Sequence, residues 1–176
     1  MTTTTAAAPA LRRLYFVRFG FALVWAVALF LTAASVGPVS ATLLVLYPLF
    51  DVGAAVVDAR SSRAGRSAPG LYVNIVISGL AAAGLAFAVT SGIPAVLRVW
   101  GVWAVTAGVV QLVVALRRRA LGGQWPMITS GAISTLAGAA FFLQAADGSL
   151  RNLAGYALLG GVFFLVSALR LGRAAA

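Results

Sequence analysis

The sequence predicts an all-α membrane protein of six transmembrane helices. Three observations lead there: six apolar runs of about 20 residues, few charges inside them, and arginines gathered at every second connection. The chain has 176 residues, 62% of them apolar and 9% charged, with a mean hydropathy of +1.02. A soluble domain of this length could not hide so much apolar surface.

Met1 to Ala10 (MTTTTAAAPA) is polar and low in complexity; residues 1–11 read as a disordered tail ahead of a bundle over residues 12–173. Arg12 and Arg13 precede the first span, about 14–36. Its apolar run of about 20 residues exceeds the roughly 7–15 of a signal-peptide core, so it reads as a retained span. Gly37-Pro38 turns into the second, about 39–58, which ends in a basic stretch rich in breakers from Arg60 to Gly70. The third and fourth spans, about 71–90 and 95–116, are joined by Ser91-Gly92-Ile93-Pro94. Arg117-Arg118-Arg119 and Gly122-Gly123-Gln124 lead to the fifth, about 125–146. Asp147-Gly148-Ser149 leads to the sixth, about 152–169, closed by Arg170 and Arg173. Each run suits a helix crossing roughly 30 Å of hydrocarbon at 1.5 Å per residue.

With the N-terminus in the cytoplasm, eleven of the thirteen basic residues fall inside, and only Arg98 and Arg151 fall outside. The bias holds at all four cytoplasmic segments. The expectation is a multi-pass protein of the bacterial cytoplasmic membrane, both termini cytoplasmic, folded as three hairpins with short outer turns. The net charge of +10 finds its partners in anionic inner-leaflet lipids, because the arginines lie between apolar runs and not in a basic domain that would bind nucleic acid.

The fourth and sixth spans end alike: Gly108–Arg117 (GVVQLVVALR) matches Gly161–Arg170 (GVFFLVSALR) at seven of ten positions. Trp103-Ala104 lies over Tyr156-Ala157 at the same offset, and Ser78-Gly79 and Ser130-Gly131 pair the third and fifth spans. The second and third hairpins therefore read as an internal repeat, which the first joins only through Ala59-Arg60. The run GVVQLVVALR, a short basic loop and then WPMITSGAISTLAGAAFFL resemble the HdeD-like short-repeat membrane proteins. The resemblance covers most of the chain from the first span onward. It implies a small bacterial six-span protein associated with acid resistance, without a defined biochemical activity and with no catalytic residues to carry over.

Asp51 and Asp58 are two of only three acidic residues. A carboxylate near a bilayer centre costs roughly 2.5–3.5 kcal/mol, so it needs a partner, a proton or water. By helical rise Asp51 lies roughly 4 Å to the cytoplasmic side of its span's midpoint and Arg18 roughly 9 Å, within reach of each other. Asn74, Gln111, Ser130 and Ser167 fall at roughly 8–9 Å on the same side, one in each remaining span. Tyr47, one turn before Asp51, is placed to donate to it. These seven residues form the candidate intramembrane polar site. Two readings stand side by side: a chamber on Asp51 and Arg18 that binds a small ligand or relays protons, or interhelical glue with Arg18 snorkelling to the headgroups. Asp58, with Arg60, Arg63 and Arg66 within reach at the inner interface, reads as a solvated charge with a topology and ion-pair role.

Gly79 with Ala83, Gly101 with Gly108, and Gly131, Ser134 and Gly138 form small-residue faces that let helices approach within the bundle or between copies in a homo-oligomer. No enzyme constellation is evident. The chain lacks His, Cys, Lys and Glu, so thiolate chemistry, HExxH spacing and a base for Ser130 or Ser134 are missing, and no cofactor or metal is expected. The sequence therefore points to a non-enzymatic membrane protein, related to acid or envelope stress by resemblance. The alternative is a small-solute or proton-linked transporter using Asp51.

Overall fold

In hydrocarbon every backbone N–H and C=O must be satisfied inside the protein, and a helix does this within one segment. The computed structural model describes residues 3–61 and 68–174. All regular structure among them is helical: α1 (Thr3–Thr32), α2 (Pro38–Ser61), α3 (Ala68–Ala88), α4 (Ile93–Arg117), α5 (Trp125–Leu143) and α6 (Leu150–Ala174). Short 3-10 turns at Val89–Ser91 and Arg119–Leu121 follow α3 and α4. Each of the six helices is long and apolar enough to cross a membrane, and the chain is a polytopic membrane protein. Arg63 and Arg66 of the basic stretch lie outside the described residues.

Several boundaries differ from the sequence reading: the first span ends at Thr32 and not near 36, and the sixth continues to Ala174 and not to about 169. Two more differ at the start of α1 and the end of α5. The tail expected to be disordered over residues 1–11 is helical from Thr3. Leu11 is buried in a cluster with Tyr15, Ala168 and Leu171, and Arg12 donates from Nε to the Ala168 carbonyl at 3.2 Å. A helix anchored this way extends at one hydrogen bond per added residue, despite the rung lost at Pro9. At the other boundary, α5 stops at Leu143 and not near Ala146. Pro94 and Pro126 sit in the first turns of α4 and α5, where a missing N–H breaks no helical bond.

The helices form a ring in which each packs on its neighbours in sequence and α6 returns to α1. The partners of the three expected hairpins, α1–α2, α3–α4 and α5–α6, make the looser contacts. The tight ones are α4–α5, α1–α6 and α2–α3. Small residues explain why at α4–α5. A methyl group on Gly108 would lie 2.9 Å from the Gly131 oxygen, and one on Gly131 would lie 2.8 Å from the Gly108 oxygen. Gly101 and Gly138 face each other equally closely, at 2.7 and 2.6 Å. Neither pair leaves room for a side chain, so the two helices touch backbone to backbone. These faces are used inside the bundle and are not open to another copy. Of the small-residue faces, that of Gly79 and Ala83 points outward, with nothing within 4 Å of a methyl on Gly79 and Ala83 exposed.

The two halves of the bundle differ in what fills them. Toward the end that carries Arg98 and Arg151, Trp25, Leu29, Leu44, Leu85, Leu97 and Trp100 make a dry core. Trp25 stacks on Trp100 with ring centroids 5.4 Å apart, and its N–H donates to the Leu43 carbonyl at 2.7 Å. That bond falls beside the turn that Pro48 loosens by failing to donate to Leu44. The half toward Arg12, Arg60, Arg117 and Arg170 holds a polar cavity.

Candidate functional site: a cavity between two aspartate–arginine pairs

Asp51 and Asp58 are seven positions apart on α2, two turns along one face, and both turn inward. Asp51 is held by three donors. Arg18 Nη1 on α1 lies 2.7 Å from Oδ1, while Asn74 Nδ2 and Ser78 Oγ on α3 lie 2.6 and 2.8 Å from Oδ2. Ser78 in turn accepts from Trp103 Nε1 on α4 at 3.0 Å. The Arg18 guanidinium also lies over the Phe164 ring of α6, 5.1 Å from its centroid. Three helices thus meet at one carboxylate, and α4 and α6 back its donors. Each charge-assisted bond contributes about 1.5–3 kcal/mol, so three are enough to offset the cost of burying the charge.

Asp58 makes an ion pair, but it is not the solvated charge expected among Arg60, Arg63 and Arg66. It is buried, and Arg118, from the turn after α4, grips it in bidentate fashion at 2.7 and 2.8 Å. Arg60 is exposed at the helix end. Arg118, itself buried, lies on the stripe that Gln111 and Ala115 continue along α4 and so points into the ring. Arg118 lies just beyond the span. Burial works against its charged form, but the bonds and charge of Asp58 outweigh this and raise its pKa above the usual arginine value.

A cavity of about 120 Å³ runs between the two pairs and is lined by both. With about 30 Å³ to each water, it has room for about four waters or one small solute. Its walls also carry the Tyr15, Tyr47 and Tyr156 rings and the side chains of Gln111, Ser130 and Ser134. Tyr156 donates to Ser134 at 3.0 Å, and Tyr15 to Gln124 Oε1 at 3.4 Å. Among the described residues no three His, Cys, Asp or Glu side chains come together to hold a metal. The chemistry available is that of two carboxylates, two guanidiniums, hydroxyls and amides around a small volume: hydration, hydrogen bonding and proton exchange.

Six of the seven expected residues line this cavity: Arg18, Tyr47, Asp51, Asn74, Gln111 and Ser130. Gln111 Nε2 is occupied by the Met127 carbonyl at 3.1 Å. Tyr47 does not donate to Asp51. Its ring is locked edge-on against Trp25 and Trp103, with centroids 4.6 and 5.9 Å away. Ser167 lies elsewhere: its hydroxyl donates to the Gly123 carbonyl, tying α6 to the α4–α5 connection. Depth alone placed Ser167 with the others, and depth says nothing about direction around the ring. Sequence reasoning missed Ser78, Trp103 and Arg118. Ser78 is one turn from Asn74 on the same helix face, and that spacing is the signal that finds it.

Comparison of the chain with protein-family models, with curated proteins and with solved structures finds no match.

Proposed function

We propose that the cavity is the working site of a non-enzymatic membrane protein and that Asp51 is its central group, in proton-linked passage of a small polar solute or of protons themselves. One observation carries this reading. Asp51 sits on the wall of a polar cavity between the helices with its charge divided among donors from two other helices. A proton delivered to Asp51 would cancel that charge and release Arg18, changing what the cavity holds and how α1 meets α2.

The same proposal places the arginine-rich end, with both termini, in the cytoplasm of a bacterium against anionic inner-leaflet lipids. It also places the chain with the HdeD-like short-repeat proteins, for which a proton-responsive cavity suits an association with acid stress. The repeat of the second and third hairpins, which the first joins loosely, draws support from the ring, where tight and loose contacts alternate. Asp51 stands as far before Arg60 as Gly108 before Arg117 and Gly161 before Arg170. Gly108 abuts α5 and Gly161 abuts Ala22 of α1, while Asp51 reaches Asn74 and Ser78 of α3. The first hairpin thus carries a carboxylate where the other two carry a glycine at the equivalent tight contact.

The test uses vesicles of phosphatidylethanolamine and phosphatidylglycerol with a trapped pH dye and an imposed pH gradient. Protein-bearing vesicles should dissipate the gradient faster than empty ones, and Asp51→Asn should lose most of that activity while keeping its helical content. A folded Asp51→Asn protein with undiminished flux, or a wild type no faster than empty vesicles, overturns the reading.

A further inference from the structure

On the outside of the bundle, an apolar groove of about 420 Å³ runs between α3 and α5 along α4. This volume lies within the roughly 300–1,000 Å³ of small-molecule sites. Arg98, Val102 and Thr106 form its length at helical spacing, roughly 12 Å along the axis. Leu80 of α3 and Phe142 of α5 make its banks. Thr106 gives its hydroxyl to α4's own carbonyls, at 2.9 Å to Val102 and 3.1 Å to Trp103, so the inner end asks for no water. The groove is hydrocarbon-like along its length and cationic at one end.

We propose that this groove seats one acyl chain of a phospholipid whose phosphate is held by Arg98. Arg98 is exposed and has no ion-pair partner among the described residues. It lies in the second turn of α4, near headgroup depth. A guanidinium there offers paired N–H donors to phosphate oxygens. Charge complementarity also argues against a second copy of the chain as the occupant. The protein has three acidic residues in all, and two of them, Asp51 and Asp58, are already paired inside. A copy has only Asp147 to offer Arg98, whereas every phospholipid brings a phosphate. The groove also ends on Trp103, which borders the polar cavity as well and donates to the Ser78 that holds Asp51. A seated chain would press on a ring that borders both the groove and the Asp51 site.

The test is native mass spectrometry of the full chain released from micelles doped with palmitoyl-oleoyl phosphatidylglycerol. Wild type should retain one lipid, Arg98→Gln should bind it about tenfold more weakly, and Val102→Trp, which fills the groove, should not retain it. Dioleoylglycerol, which has chains but no phosphate, should bind wild type as weakly as the phospholipid binds Arg98→Gln. Both substituted side chains are exposed, so the variants should melt with the wild type; if Val102→Trp misfolds, Arg98→Gln decides alone. Equal retention by wild type and Arg98→Gln, or equal binding of the two lipids, overturns the proposal. So does a wild-type dimer that Val102→Trp converts to monomer, because the groove would then belong to a second copy.

Discussion

Asp58 takes both N–H···O bonds of the Arg118 fork, at 2.7 and 2.8 Å, whereas Asp51, two turns earlier on α2, takes a single bond from Arg18 on α1 and two more from Asn74 and Ser78 on α3. The side chains of the Asp58 pair are 8% and 7% exposed, and those of the Asp51 pair 13% and 14%. A carboxylate whose two oxygens are gripped by the same planar guanidinium gains little from exchanging that partner. A carboxylate shared among an arginine, an amide and a hydroxyl can give up one donor and keep the others. Asp58 fastens the arginine-rich end of the bundle, and Asp51 is the one of the two whose donors can be exchanged separately.

The fastening predicts the largest effect on stability. Arg118→Ala leaves Asp58 buried without its main counter-charge and should cost roughly 3–5 kcal/mol, a large share of the roughly 5–15 kcal/mol that holds a typical domain together. Denaturant unfolding in detergent micelles measures it. The double variant Asp58→Leu with Arg118→Leu should recover most of the loss, because replacing a buried pair by apolar groups removes the desolvation cost along with the attraction. A single variant that costs less than about 1 kcal/mol, the range of an exposed ion pair, would erase the distinction between the two aspartates.

The sequence made one of these pairs legible and hid the other, for a geometric reason. Arg18 and Asp51 lie on antiparallel neighbouring spans, and helical rise alone brings them to nearby depths. Arg118 is 60 residues from Asp58 and sits in a run of three arginines whose members look interchangeable as interfacial charge. Only helical phase separates them: Arg117 and Arg119 are exposed and Arg118 is buried, because it alone continues the inward stripe of Gln111 and Ala115. The six helices were legible from hydropathy, which registers burial in lipid or protein equally well. The order of tight and loose contacts was not, because short turns say which helices are joined and glycine faces say which ones touch. Gly101, Gly108, Gly131 and Gly138 held that information, but spacing within one helix does not name the partner helix.

Ser78→Ala addresses the other side of the comparison and should have an intermediate effect. Ser78 is fully buried, donates to Asp51 and accepts from Trp103. Removing its hydroxyl takes one of three donors from the carboxylate and leaves the indole N–H without its acceptor, a cost of about 1–3 kcal/mol for a buried group left unsatisfied. The same unfolding measurement reads it. If the cost approaches that of Arg118→Ala, the three donors at Asp51 act as one rigid unit, and the idea of a carboxylate free to trade partners is lost.

Tyr47→Phe should have the smallest effect, and its value lies in separating ring from hydroxyl. The ring is packed against Phe21, Trp25, Trp100 and Trp103, with centroids between 4.6 and 5.9 Å away, and phenylalanine keeps all of that contact. The hydroxyl makes no hydrogen bond to Asp51, so the usual 0.5–1.5 kcal/mol of such a bond is absent, and stability should change by less than about 0.5 kcal/mol. A cost above about 1 kcal/mol would mean that the hydroxyl holds Asp51 through a bridging water, making Tyr47 a fourth member of the shared set. Flux in the pH-gradient assay distinguishes structure from function at this position. If stability holds while dissipation of the gradient slows, the Tyr47 hydroxyl belongs to the path through the cavity, and Asp51 does not act there alone.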